Sequence, residues 1–519
     1  MKKAIYLIIA LIGLSAPSCS DSMLDFSPTD SGSGKELLKS ASTAITSVNG
    51  VYRSMWTDGW STTANTHQCF GIAAYNLALD CMADDLIMQS QGNGWFWGDH
   101  CYNVKSNYTS SAFRSYDVWY ANYKWIANVN YIIDAEPEMA GTEADVAYVA
   151  GQAYAIRALC YLNLATWFSR APYNSLTGAS RWNEPCVPVY TTGTSIDTGG
   201  QPRESLRTVY GRIDQDIDRA IELLEKARET TLAENNKSHI NLYVALGIKS
   251  RACLAEGDWD GAFKAAKRVI DEGGYAVGTK SDLTSGMNSL DKQNVMWGAG
   301  IQVADQAGGY AGFFTHMDNK EGAYAKSAPK LISKQLYNRI SATDIRRDWW
   351  DPSDKESPYV SKKFSFANVA SFLGDYIYMR VEEMYFTAAE AALRLDDLKS
   401  ARELMNTVMA ERDPGYSANN RSGTLLGATT TTWTGSFLEN ILTHRRIELW
   451  GEYGRLFDVR RLGQGIDRRT DDGFSEECIS MMNRRNVNIT KADTYDWVLT
   501  IPKAELDANP NINEEDQNP

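Results

Sequence analysis

A chain of 519 residues is longer than one compact core ordinarily organises, so either two cores or an extended repeat architecture is expected. Its formal net charge of −13, from 52 basic and 65 acidic residues, excludes nucleic acid as the main partner and works against electrostatic adhesion to anionic lipid. An apolar fraction of 43% and 15 tryptophans supply material for a core with aromatic rings to spare.

The first residues are Met1-Lys2-Lys3, an apolar run from Ala4 to Leu14, and then Ala16-Pro17-Ser18-Cys19. A basic start, a short apolar stretch and small residues before a break predict an export signal over 1–18. About eleven apolar residues at ~1.5 Å each are too short to cross a hydrocarbon layer of ~30 Å. Cleavage before Cys19 would free its amino group and leave its thiol to carry lipid. The segment resembles a bacterial lipoprotein box, although Ala16 stands where leucine is usual. Residues 19–40, small and polar around Ser31-Gly32-Ser33-Gly34, then form a lipidated tether.

Helices follow in pairs. The periodicity predicts helices near Val118–Asp134, Ala144–Phe168 and Ser205–Ala227, the last with Ser205 as its N-cap. Asn241–Glu256, the turn Gly257-Asp258 and Trp259–Ile270 read as a helical hairpin. Tyr378–Leu395, Asp396-Asp397 and Leu398–Arg412 repeat it. In each, a small residue (Ala262, Ala401) follows an apolar one (Trp259, Leu398) by three, where the second helix meets the first, and Ala220 fits the same place in an earlier unit. The hairpins resemble tetratricopeptide units, so the fold class expected is mainly α, a helical-repeat scaffold. Segments 57–117, 169–204, 273–376, 413–435 and 461–519 are longer than repeat turns require. They are expected as irregular loops forming a variable binding face.

At this point several phrases match one family. Gly151–Tyr173 (GQAYAIRALCYLNLATWFSRAPY), Pro202–Ser205, Met379–Ala391 with Asn406 and Arg412, His444–Gly463 (HRRIELWGEYGRLFDVRRLG), and the ending Ile501-Pro502 to Pro519 occur in the order of the SusD/RagB family. The chain resembles that family over its whole mature length, with Trp450 a departure inside the signature 444–463. The resemblance implies one domain over 41–519, anchored at the outer membrane through Cys19. It also implies capture of oligosaccharide as the lid of a SusC-like, TonB-dependent transporter, with no cofactor and no catalysis. Peptide capture by a similar lid, or an extracellular hydrolase, are the alternatives.

The residues themselves offer little chemistry. The five histidines form no HExxH or close pair, and no GxSxG or phosphate-binding loop is present. Arg445, Arg446, Glu448, Glu452, Arg455, Asp458, Arg460 and Arg461 could in principle serve acid–base catalysis, but charges at such helical spacing more commonly form ion-pair networks. Asp84-Asp85 is the most suggestive pair for the two carboxylates of a glycosidase, but neighbours on an extended chain point opposite ways, so it suits hydrogen bonding to sugar hydroxyls or backbone, with calcium ligation as the weaker use. Seven cysteines beyond Cys19 show no CxxC, and a bridge among Cys69, Cys81 and Cys101 is left open. Cys160 and Cys253 fall in apolar helical patterns and belong in the core.

Sugar rings present apolar CH faces edged by hydroxyls, so a recognition site needs flat aromatic rings beside polar side chains. Gln89–Asp99 (QSQGNGWFWGD) has that mixture. If it is extended, Trp95 and Trp97 share one face as the main platform, with Asn93 and Asp85 as polar partners. Gly308–His316 offers Tyr310, Phe313 and Phe314 as a second platform. Trp297, in the strand-like Val295-Met296-Trp297, is assigned to the core.

Overall fold

The computed structural model describes residues 34–57, 66–103, 113–195, 197–233, 236–305, 310–492 and 494–519. The export signal and Cys19 lie outside them. The fold is mainly α. Helix α1 (Ala41–Ser54) leads into α2 (Ile72–Met82), strand β1 (Leu86–Met88) and the single turn α3 (Trp97–His100). The segment 57–117, expected as loop, is thus largely structured where it is described, and α2 is buried along almost its whole length. Next come α4 (Phe113–Ala135) and α5 (Glu143–Phe168), which pack on one another, then α6 (Leu206–Lys226), which lies along α5. The Ser205 side chain caps α6 by accepting from the Thr208 amide, as the sequence predicts.

The expected hairpins form. In the first, α7 (Leu242–Glu256) ends at Gly257, whose φ of 77° supplies the left-handed C-cap, and Asp258 caps α8 (Trp259–Glu272) by accepting from the Gly261 amide. Strand β2 (Val295–Ala299) follows, with Trp297 buried in it. Short helices α9 (Phe313–Met317) and α10 (Ala323–Ser327), then strands β3 (Lys330–Ile332), β4 (Trp350–Asp351) and β5 (Val360–Ser361), occupy the long insertion. Strand β6 (Tyr376–Arg380) takes the residues expected to begin a helix. It pairs antiparallel with β2, and α11 starts only at Val381. In this second hairpin α11 (Val381–Arg394) turns at Asp396, φ 62°, and Asp397 caps α12 (Leu398–Ala410). Ala220, Ala262 and Ala401 are all fully buried, as the small-residue positions require.

Helices α13 (Phe437–Glu448), α14 (Arg455–Leu462) and α15 (Glu476–Arg484) complete the chain's main elements. Strands β1, β3, β5 and β4 form a second, antiparallel sheet in that order, with Leu86 opposite Ile332 and Met88 opposite Lys330. A contiguous cluster of buried apolar side chains, Cys160 among them, runs from Ala41 to Ile512 through both the repeats and the insertions. Cys253 is buried as well, in a small satellite cluster between the two hairpins.

The charged signature holds this core together. Glu448, at the end of α13, is fully buried and accepts from Arg346 at 3.0 Å, Arg380 at 3.0 Å and Arg412 at 2.9 Å. With Lys363, Asp344, Glu382 and Glu452 these residues make a cluster of four cations and four carboxylates. Asp458 joins Arg445 at 2.8 Å to Arg461 at 2.7 Å, and Arg461 continues to Glu390 at 2.8 Å. Arg460 caps the end of α5 by donating to the carbonyls of Thr166 and Ser169. The network reading therefore stands, but most partners are distant segments rather than neighbours on one helix face.

Candidate functional site

The two aromatic segments meet at one place, and only part of each faces outward. Gly92, at φ 51°, lets the 89–99 turn approach helix α10, because a Cβ there would lie 2.6 Å from the Ser327 carbonyl oxygen. The Asn93 amide then donates to Ser327 Oγ at 3.3 Å, leaving the Asn93 side chain exposed. Trp95 is half-buried and stacks on the His67 ring, centroids 4.9 Å apart and planes 20° apart. Tyr310 is 46% exposed and meets the same His67 edge-on at 6.3 Å.

Tyr324 on α10 closes the group. It lies 6.0 Å from Trp95 and 6.3 Å from Tyr310, and its hydroxyl hydrogen-bonds His67 Nδ1. Below it His316, fully buried, contacts the His67 carbonyl oxygen through Nε2 at 2.6 Å. Burial holds the His316 ring well below the usual imidazole range, so it packs as a neutral side chain. Trp95 and Tyr310 thus stand at the surface on a floor made by His67, Tyr324 and His316. Sequence reasoning missed His67 and Tyr324. The glycine before Ala323-Tyr324 resembles the setting of Tyr310 and was the one available signal.

Beside this platform lies an open cleft of about 780 Å³, lined among others by Asp318, Glu321, Lys326, Asp351, Phe366 and Val369. Lys326 belongs to α10, and the rings of Phe366, Phe372 and Tyr310 follow one another at 6.2 and 5.4 Å, so platform and cleft are continuous. Flat rings at one end and carboxylates with an ammonium at the other can hold a molecule that is apolar on its faces and hydroxylated on its edges.

Four expected site residues do not belong here. Phe96 adopts the left-handed conformation, φ 61°, so the chain turns instead of extending, and Trp97 opens α3 with only 3% of its surface exposed. Trp95 and Trp97 therefore do not share a face. Phe313 and Phe314 lie in α9, which turns both rings inward against Phe364, Phe366 and Tyr376. Replacing Phe313 by Ala is expected to cost ~3–4 kcal/mol in urea unfolding while leaving ligand affinity of the folded protein unchanged.

Asp85, 2% exposed, faces Arg446 and Arg455 rather than solvent. Asp84 turns to the same two arginines, at 3.0 and 3.2 Å, so the pair converges instead of diverging. Both carboxylates are consumed by ion pairing, which removes the calcium use considered for them. No group of three or more His, Cys, Asp or Glu side chains suited to a metal ion occurs among the described residues.

Comparison with known proteins agrees with this architecture. The model of the SusD family matches residues 325–519, and that of a second family, described as starch-binding associating with outer membrane, matches 71–254. No protein with curated function matches the chain. A SusD-like carbohydrate binding protein from Bacteroides vulgatus is 25% identical, with 92% of this chain and 98% of that one superposed at a TM-score of 0.73. A SusD superfamily protein from Bacteroides thetaiotaomicron is 22% identical over 92% and 100%, TM-score 0.72. Surface glycan-binding protein A from Bacteroides thetaiotaomicron, solved with laminarihexaose, shares the fold at 17% identity over 92% and 99%, TM-score 0.62. With one SusD match over the first helical repeats, another over the second hairpin and the ionic signature, and full-length agreement of fold, the chain belongs to the SusD family.

Proposed function

We propose that this protein captures oligosaccharides at the cell surface and presents them to a SusC-like, TonB-dependent transporter whose mouth it covers. The observation that carries the reading is the pair of half-buried Trp95 and exposed Tyr310 on a shared aromatic floor at the end of a polar cleft. A carbohydrate-binding relative of the same fold and a glycan-bound structural neighbour support it. The protein binds without reacting, because the carboxylates of its charged signature are buried in ion pairs and unavailable for proton transfer.

Residues 41–519 act as one body, held to the outer membrane by lipid on Cys19. The second family match, associated with the outer membrane, supports this placement, and no described helix is long and apolar enough to cross a membrane. Anchoring raises the effective local concentration to ~mM, so modest intrinsic affinity suffices for delivery. Affinity purification from native membranes is expected to recover an outer-membrane transporter with the wild-type chain. The Cys19→Ala protein should lose lipid label and leave the membrane fraction. A Cys19→Ala protein that keeps both, or a wild type that brings down no transporter, would contradict the reading.

A further inference from the structure

Seven cysteines lie among the described residues, and all are buried. Cys69 lies near the charges of Asp117 and Arg114, and Cys81 lies in α2. The structure brings together a pair that the sequence did not suggest. Cys101, at the end of α3, and Cys478, in the first turn of α15, are neighbours as free thiols: Cys478 Sγ reaches the carbonyl oxygen of His100, the residue before Cys101, and neither cysteine side chain has any exposed surface.

Their surroundings are organised for sulfur chemistry. Cys478 Sγ lies 3.7 Å from the His100 carbonyl oxygen and 3.9 Å from Arg468 Nη1. The same guanidinium donates to the carbonyls of Cys81 and Ala83 at 2.8 and 2.6 Å, and to that of His100, which fixes it beside the sulfur. A guanidinium held next to a thiol favours the thiolate, the species that attacks a disulfide. The two cysteines also join distant parts of the chain. Cys101 follows Trp95 by six positions, whereas Cys478 belongs to the C-terminal region.

We propose that Cys101 and Cys478 form a disulfide in the exported protein, stapling the segment that carries Trp95 to helix α15. The proposal rests on the reading of residues 1–18 as an export signal, which places folding in an oxidising compartment. The oxidant is the disulfide of a thiol oxidoreductase. While the segments are still open, the Cys101 thiolate attacks that disulfide, forms a mixed disulfide and releases one thiolate. As native contacts close, the Cys478 thiolate attacks the Cys101 sulfur, forming the Cys101–Cys478 bond and releasing the second thiolate. The two protons of the cysteines end on the two released thiolates, and two electrons pass to the oxidoreductase. Because the bond closes a loop of several hundred residues, it restricts the unfolded chain strongly.

The test is alkylation of the unreduced, full-length protein, taken from the native membrane fraction and unfolded in the presence of the reagent. Five of the seven cysteines beyond Cys19 should be modified, rising to seven after reduction. Peptide mapping should find one cross-linked species joining the Cys101 and Cys478 peptides. Reduction should lower the melting temperature by several degrees, and C101S/C478S should melt where the reduced wild type does, with or without reductant. Seven modified thiols before reduction, or a cross-link joining other cysteines, would overturn the proposal. Fractionation of the same cells reads the export signal separately, so failure of one is distinguishable from failure of the other.

Discussion

Replacing Trp95 by Ala is expected to weaken oligosaccharide binding at least tenfold, and the Trp95→Ala, Tyr310→Ala double variant about a hundredfold. Stacking one sugar face on an indole removes roughly 50 Å² of apolar surface from water, about 1.3 kcal/mol at ~25 cal/mol/Å², close to a factor of ten. Tyr310, nearly half exposed, offers a second such surface on the same floor. Since neither ring is fully buried, thermal unfolding should shift far less than for Phe313→Ala. Isothermal titration beside a melting curve separates the two effects. Intact binding with a large loss of stability would make Trp95 a packing residue.

The largest effect on stability is expected at Glu448. Burial pushes its carboxyl upward, but the guanidiniums of Arg412, Arg380 and Arg346 overcome that and hold it well below the usual carboxylate range. Glu448→Gln leaves four buried cations facing three carboxylates and should cost ~3–5 kcal/mol, because an uncompensated charge then sits in the core. The same shift fixes the pH dependence. With the folded value below the unfolded one of about 4.3, the stabilisation is complete above that pH and is lost as pH falls toward the folded value. Urea unfolding between pH 7 and pH 3 should show the wild type losing stability below about pH 4.5, with a shallower loss in Glu448→Gln. Equal slopes would show that Glu448 carries no such linkage.

Much of the scaffold was legible because its signals are local. Ser205 caps α6 as read, and Asn241, Asp258 and Asp397, read as the first residue or turn residues of the hairpins, cap α7, α8 and α12 through bonds to amides three residues on. Strand β6 was not legible, since its partner β2 lies some eighty residues earlier and Tyr378–Arg380 continues smoothly into the pattern of α11. The ionic signature was recognisable as structural, yet Arg346, Arg380 and Arg412 come from three separate segments that no periodicity connects. The site divides in the same way. Aromatic rings between glycines marked Trp95 and Tyr310, but a single left-handed residue, Phe96, reversed the expected direction of Trp97. His67 and Tyr324 reach Trp95 only through the tertiary fold.

The measurement that bears most directly on the central claim is an array of oligosaccharides and peptides probed with the wild-type protein and the Trp95→Ala, Tyr310→Ala variant side by side. Binding to one class of oligosaccharide, with the bound glycan recovered unaltered and the variant blank, is the predicted result. Peptide binding without glycan binding, or equal signals from the two proteins, would contradict it.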